Sequence, residues 1–338
     1  MGNTSTVLIL GASGRLGAAC TQAFANAGWQ VIAQTRKPAS SPPRAGVRAL
    51  VTGDTPIENF SAKLHNVGDV GDVDVVLHAM NPAYTNAAWT AQAPAMLLSA
   101  IAIAQSLDAT LMFPGNVYNF GADMPRVLDE STAQRPTTIK GKLRTDMELA
   151  LQHATQTSAL RTVVIRAGDF FGSGTGSMFD QVTVSKIKKG TFTHAGPMGV
   201  ATPWAYLPDL AQTFVRVAAC RQQLAAFDVL HFAGHVLNGH DWLSALQPLA
   251  VANGWIANGH ALKTAALPWQ LMRVLGLFSP ALASLVEMRY LQATSHALDN
   301  TRLCKLIGPE PHTPLTEAAT SAFASLGWGT QKNNLKPA

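Results

Sequence analysis

Short apolar runs alternate with longer alanine-rich or amphipathic stretches through the first half of the chain. Residues 6–10 (Thr-Val-Leu-Ile-Leu) are followed at once by Gly11. An unbroken apolar run of this length is the pattern of a strand buried on both faces of a parallel sheet. Residues 29–33, 47–51, 73–78, 110–113 and 162–166 read the same way. Between them, residues 15–27 have a helical composition, and Gly28 stands where a helix C′ glycine is expected. Residues 93–107 are nearly uncharged and predict a helix buried on several sides. Residues 143–155 predict an amphipathic helix. Strands alternating with helices indicate a doubly wound α/β sheet. After residue 170 the alternation becomes irregular, with a glycine-rich loop at 172–177 and a mostly helical last third that holds a strand near 229–232. The chain is therefore divided into a nucleotide-binding unit over 1–170, to which segments near 200–235 return, a smaller cap over 171–330, and a tail over 331–338.

Composition narrows the picture. The chain has 338 residues, 47% of them apolar and only 13% charged, enough to bury a large core and too apolar for disorder. Three widely separated cysteines, Cys20, Cys220 and Cys304, offer no disulfide framework and suit a reducing, cytoplasmic setting. The formal charge of +5 is spread thinly. Its densest run, 186–189, is short, so nucleic acid is not an expected partner. Residues 1–6 lack the charged and apolar regions of a signal peptide. The longest apolar stretch, 261–285, is interrupted by Lys263, Pro268, Arg273 and Pro280. It is read as two short helices in a substrate lid or subunit contact, with no membrane span.

The most specific motif is Gly11-Ala-Ser13-Gly14-Arg15-Leu16-Gly17, placed between a predicted strand and a predicted helix. Gly11 permits the turn, Gly14 lets backbone approach a pyrophosphate, and Gly17 lets helix and strand pack closely. The helix N-terminus then offers free N–H groups to the phosphates. After the second strand the sequence runs Gln34-Thr35-Arg36-Lys37, without the acid that would bind a ribose 2′-hydroxyl. Arg36, flanked by Thr35 and joined by Arg15, suits a 2′-phosphate. NADP is thus expected over NAD.

The GxxGxxG spacing resembles the short-chain dehydrogenase/reductase superfamily, in particular its extended, epimerase/dehydratase-like branch. Other segments carry the same likeness in order: Gly53-Asp54, His78-Ala79-Met80-Asn81-Pro82, Val117-Tyr118, the 166–172 segment, the 204–211 segment and the 313–318 segment. The resemblance implies a Rossmann-type sheet with a mostly helical cap. It implies cofactor contacts from Asp54, Ala79, Met80, Asn81 and Pro114, and substrate contacts from Asn81, Tyr84, Asn116, Phe171 and Trp204. A homodimer through helices 93–107 and 143–155 is implied as well.

The family's chemistry uses a Ser or Thr, a Tyr and a Lys, the last two spaced YxxxK on one helix face. Matching the lysine to Lys142 puts Thr138 in place of tyrosine and Pro114 in place of the serine. Two of the three groups are then missing. Tyr118 is the expected substitute phenol, with His78 or Tyr84 as alternatives, and Lys140 is the second candidate for the ribose contact if the register shifts. The histidines His231, His235 and His240 lack metal-site spacing, so no metal is expected. These observations lead to two readings: an NADP(H)-dependent oxidoreductase or epimerase/dehydratase-like enzyme on a small carbonyl or sugar-type substrate, or a non-catalytic NADP(H) sensor.

Overall fold

The computed structural model describes residues 4–38, 44–53 and 72–328. Asp54, one of the expected cofactor contacts, lies outside the described residues. Seven parallel strands form the main sheet in the order β11-β7-β5-β4-β1-β2-β3. They are β1 (Thr6–Leu10), β2 (Gln30–Thr35), β3 (Val47–Val51), β4 (Val75–His78), β5 (Thr110–Gly115), β7 (Thr162–Arg166) and β11 (Phe227–His231). Every residue of β1, β4 and β7 is buried. The order reverses between β1 and β4, and in such a sheet ligands bind outside the strands' carboxyl ends at that point.

Two apolar layers enclose the sheet. On one face lie α1 (Arg15–Asn26) and α4 (Leu207–Ala219), which pack against each other and bury Cys20, Phe24, Leu210 and Phe214. On the other lie α2 (Asn86–Ser106) and α3 (Ile139–Thr157), burying Ala93, Leu97, Ala104, Met147 and Leu151. Helix α2 is long and apolar enough to cross a membrane by length and composition. Its packing against the sheet makes it a core helix. It starts seven residues earlier than its apolar run predicts, because Thr85 caps it by accepting from the Ala88 N–H, and the helix absorbs Pro94. Helix α3 starts four residues early for the same reason: the Thr138 side chain accepts from Gly141 N at 3.1 Å.

Segments between β7 and β11 and the chain after β11, joined by the short β6, build a smaller layer. Strands β8 (Asp169–Phe171), β10 (Thr202–Tyr206) and β12 (His235–Leu237) form one sheet. Strands β9 (Thr191–His194) and β13 (Lys263–Ala266) pair, as do β6 (Val127–Leu128) and β14 (Ala297–Leu298). Helices α5 (Gly239–Ala252), α6 (Trp269–Gly276), α7 (Pro280–Glu287), α8 (Tyr290–Ala293), α9 (Thr301–Ile307) and α10 (Leu315–Ser325) supply most of the remaining structure. Phe171 and Trp204, expected in a substrate pocket, are buried in an aromatic core with Phe179, Tyr206 and Trp242. The Trp204 indole N–H is used on Thr202 Oγ1. Neither is placed to touch a ligand in the crevice.

Candidate active site

The glycine turn closes the switch point. Gly11 has φ +82°, and a Cβ there would stand 2.9 Å from Met80 N and 3.0 Å from Ala79. The turn after β1 and the loop after β4 therefore meet backbone to backbone. A Cβ on Gly17 would stand 2.3 Å from Gly11 O, so this glycine is needed for the protein's own packing. Gly14 is different: it is exposed, and its Cβ would meet nothing nearer than Gly11 O at 3.3 Å. It has no side-chain cap on α1, and the first turn of that helix holds no acid. An uncapped helix N-terminus facing outward is a ready place for an anion, so these residues fit the pyrophosphate of a dinucleotide.

The strand ends around it supply the rest of the crevice. Gln34 ties the turn together, accepting from Gly11 N at 2.8 Å and donating to Thr52 Oγ1 at 2.9 Å. Arg36 lies exposed just beyond β2, and the Thr35 hydroxyl donates to Lys37 O. Arg15 does not turn toward Arg36; its Nη2 donates to Gly172 O at 2.8 Å. Ser13 is exposed and Leu16 is buried in the core. Beyond β4, Met80 and Asn81 line a small open depression with His78, Pro82, Ala93, Met96, Arg144 and Met147. Neither ring nitrogen of His78 has a hydrogen-bond partner. Burial pushes this imidazole down to about 4, with the Arg144 cation adding to the effect. It is a neutral group in a dry wall, not a proton carrier near pH 7.

Helix α3 settles which lysine faces the site. Lys142 is on the solvent side, its side chain 71% exposed and paired with Asp146 at 2.8 Å one turn on. The Thr138 hydroxyl caps the helix by accepting from Gly141 N and also bonds the Tyr290 side chain. The pair expected at positions 138 and 142 is therefore not assembled. The register two residues along is: Lys140 is fully buried, and Arg144 follows it by four residues on the same face. Lys140 Nζ donates to Asn86 Oδ1 and lies 4.6 Å from the centre of the Tyr84 ring. The Arg144 guanidinium donates to Pro114 O at 3.1 Å and sits over the rings of Trp89 and Phe113. One more turn on, Glu148 forms a buried bidentate pair with Arg166, with contacts of 2.6 and 3.2 Å. The inner stripe of α3 is thus Lys140, Arg144, Glu148.

Phenols converge on the same place. The hydroxyls of Tyr84 and Tyr118 are 3.3 Å apart, and Tyr290 donates to Tyr118 O. Asn116 shapes the turn, its Oδ1 accepting from Tyr118 N at 3.0 Å. Burial raises both phenols above their ordinary range. It also pushes the carboxyl of Asp169, at the start of β8, up to about 6, against a hydrogen bond from Gln292 that lowers it. Burial lowers Lys140, partly offset by Glu287, so its ammonium yields a proton more readily than an ordinary lysine.

Sequence reasoning missed Asn86, Arg144, Glu148, Asp169 and Glu287. The Lys142–Asp146 pair was the available signal for the outer face of α3, since solvated helix faces carry such i,i+4 pairs. The three histidines do not gather: His231 contacts Arg166, His235 stacks on His312, and His240 is exposed. Among the described residues no group of three or more His, Cys, Asp or Glu is placed to hold a metal.

Fold and crevice define a Rossmann-type α/β protein of the extended short-chain dehydrogenase/reductase class. The chain belongs to the RmlD substrate binding domain family, whose profile matches residues 5–245. Among solved structures it is similar to L-threonine dehydrogenase from Clostridium difficile (TM-score 0.72, 16% identity, 96% of this chain and 98% of that one). It is also similar to UDP-glucose 4-epimerase from Brucella ovis in complex with NAD (TM-score 0.70, 13% identity, 96% and 99%). A third likeness is to the Bordetella bronchiseptica enzyme WbmH in complex with NAD+ (TM-score 0.69, 15% identity, 96% and 98%). No curated protein sequence matches.

Proposed function

We propose that the protein is an NADP(H)-dependent oxidoreductase or epimerase/dehydratase-like enzyme acting on a small carbonyl or sugar-type substrate. The observation that carries this reading is the cluster beside the crevice: two phenols with their hydroxyls 3.3 Å apart and a buried lysine against one of them. When bound, the nicotinamide would supply or accept the hydride. The glycine turn and the N-terminus of α1 would hold its pyrophosphate, Arg36 its 2′-phosphate, and Ala79, Met80 and Arg144 would border the nicotinamide end.

The protein's own part is binding and proton transfer. Tyr118 and Tyr84 orient the substrate oxygen through their hydroxyls. Lys140, held by Asn86, supplies the proton that the oxygen gains as a carbonyl becomes an alcohol, and takes it back in the reverse direction. Arg144 stays charged, and its bond to Pro114 O fixes the end of β5 where the family has a hydroxyl residue. The NADP preference rests on Arg36 and on the absence of an acid at 34–37, although the two named relatives above were solved with NAD. A cytoplasmic setting and pairing of two chains through α2 and α3 complete the reading.

The test is a panel of aldehydes, ketones and sugar nucleotides scored for NADPH oxidation, with Lys140→Met and Tyr118→Phe as variants. Turnover should fall by about 100-fold or more in Lys140→Met, the usual scale for loss of a proton-transfer group, while NADPH binding persists. Undiminished turnover in that variant would remove Lys140 from the chemistry. The second reading, a non-catalytic NADP(H) sensor, is favoured by the loss of the Thr138 and Lys142 positions to capping and solvent. NADPH binding with no turnover across the panel would select it.

A further inference from the structure

The hairpin of α6 and α7 is unlike the rest of the surface. The two helices pack mainly on each other, and their bases are tied down by Trp269 Nε1 donating to Ala195 O and by Ser284 accepting from Asn86 N. Their connection carries Leu277 and Phe278, which are 80% and 84% exposed. Turns normally hold polar residues, so two large apolar side chains here are a departure. Leu271, Val274 and Leu275 on α6 extend the same exposed apolar surface. Ile139, whose N–H bonds to Glu287, adds another exposed apolar side chain beside the base of α7.

The charged residues of this stretch are mostly basic. Between residues 261 and 290 the chain has three basic residues, Lys263, Arg273 and Arg289, and one acid, Glu287. All three cations are exposed. Glu287 is turned inward, accepting from Ile139 N at 2.8 Å and Asn86 Nδ2 at 2.7 Å. Arg273 lies on α6 behind the apolar tip, and Arg289, over the Trp269 ring, lies at the base of the hairpin.

We propose that this hairpin seats the protein on an anionic lipid surface, with Leu277 and Phe278 inserted at the headgroup–acyl boundary and Arg273 and Arg289 at the phosphates. A protein partner needs a complementary pocket for a projecting tip, whereas a bilayer takes a convex apolar tip in any orientation about its normal. Apolar insertion and attraction to anionic headgroups add in such contacts. The proposal stands independently of the catalytic reading.

The test is flotation of the full chain with vesicles of phosphatidylcholine alone and of phosphatidylcholine mixed with phosphatidylglycerol. The wild-type protein should float with the mixed vesicles and much less with the neutral ones. A Leu277→Glu/Phe278→Glu variant should lose about tenfold or more in bound fraction, because charged residues do not enter the apolar boundary. Both side chains are nearly free in solution, so the variant keeps its fold. Val236→Glu, at another exposed apolar position, should bind as wild type. No flotation of the wild type, or equal flotation of the tip variant, overturns the proposal. So does a dimer in sedimentation that the tip variant converts to monomer without any vesicle binding, which would make the hairpin a contact between copies.

Discussion

Replacing Glu148 with alanine should cost far more than its distance from the crevice suggests. Glu148 and Arg166 are 3% and 2% exposed, and their contacts at 2.6 and 3.2 Å form a fork on a fork. Gln134 Nε2 also donates to Glu148 at 3.1 Å, while Arg166 contacts His231 Nε2 at 3.2 Å and lies over the Phe120 ring. Removing the carboxylate leaves a guanidinium buried without a counter-charge. Breaking one side of such a pair costs about 3–5 kcal/mol, a large share of the roughly 5–15 kcal/mol that holds a domain together. The paired replacement Glu148→Met/Arg166→Leu leaves no orphan charge and should recover most of that loss. Guanidinium unfolding followed by tryptophan fluorescence reads both midpoints. The pair also fixes the rotation of α3, since Lys140, Arg144 and Glu148 share one stripe, so NADPH affinity should fall with stability in the single variant. A single variant within about 1 kcal/mol of wild type, or a double variant no better than the single, would refute the reasoning.

Four other outcomes follow from the same geometry. Gly11→Ala puts a Cβ at φ +82° and 2.9 Å from Met80 N; it should cost about 2 kcal/mol or more in thermal unfolding and weaken dinucleotide binding. Arg36→Glu should lower the ratio of NADPH to NADH affinity by about tenfold or more in direct titrations, and an unchanged ratio would dismiss the 2′-phosphate assignment. Asp169, whose carboxyl is raised from 3.8 to about 6 by burial, holds its proton more tightly folded than unfolded, so stability is lost as pH rises from about 4 through 6. Asp169→Asn should be more stable than wild type above pH 6 by at most about 3 kcal/mol, with the gap closing below pH 4; a gap independent of pH would count against it. Leu98 and Leu149 are 60% and 57% exposed on α2 and α3, and charging both should turn a dimer into a monomer in sedimentation equilibrium.

What the sequence revealed depended on whether a residue's role was local. The strand at 6–10 and the turn after it were legible because an unbroken apolar run and three glycines each answer a backbone requirement within a few positions. A strand near 229–232 was legible in the sequence, but its pairing beside β7 was not, because the alternation is irregular after residue 170. The inner face of α3 was not, because a helical face has no phase until its first residue is known. Thr138 was read for its hydroxyl's chemistry, yet that hydroxyl also accepts from Gly141 N as the helix cap. The cap starts the helix at Ile139 and so turns Lys140, not Lys142, inward. The contribution of Asn86 and Glu287 was hidden for a different reason: they lie 201 residues apart, and no pattern within either segment marks them as partners.

That long-range contact ties the surface to the site. Glu287 bonds Asn86 and the first N–H of α3 with its two oxygens. Ser284 accepts from Asn86 N at 3.0 Å, and Asn86 in turn accepts from Lys140. The hairpin cannot swing away from α3 without breaking the Glu287 bonds, and once they break, the residue that holds the Lys140 ammonium loses two of its own anchors. Lys140 would then exchange a fixed neutral acceptor for water and a more distant carboxylate, and its affinity for a proton would change with the position of the hairpin. A contact that fixes the tip therefore fixes the Lys140 ammonium as well, through four side chains and no rearrangement of the sheet.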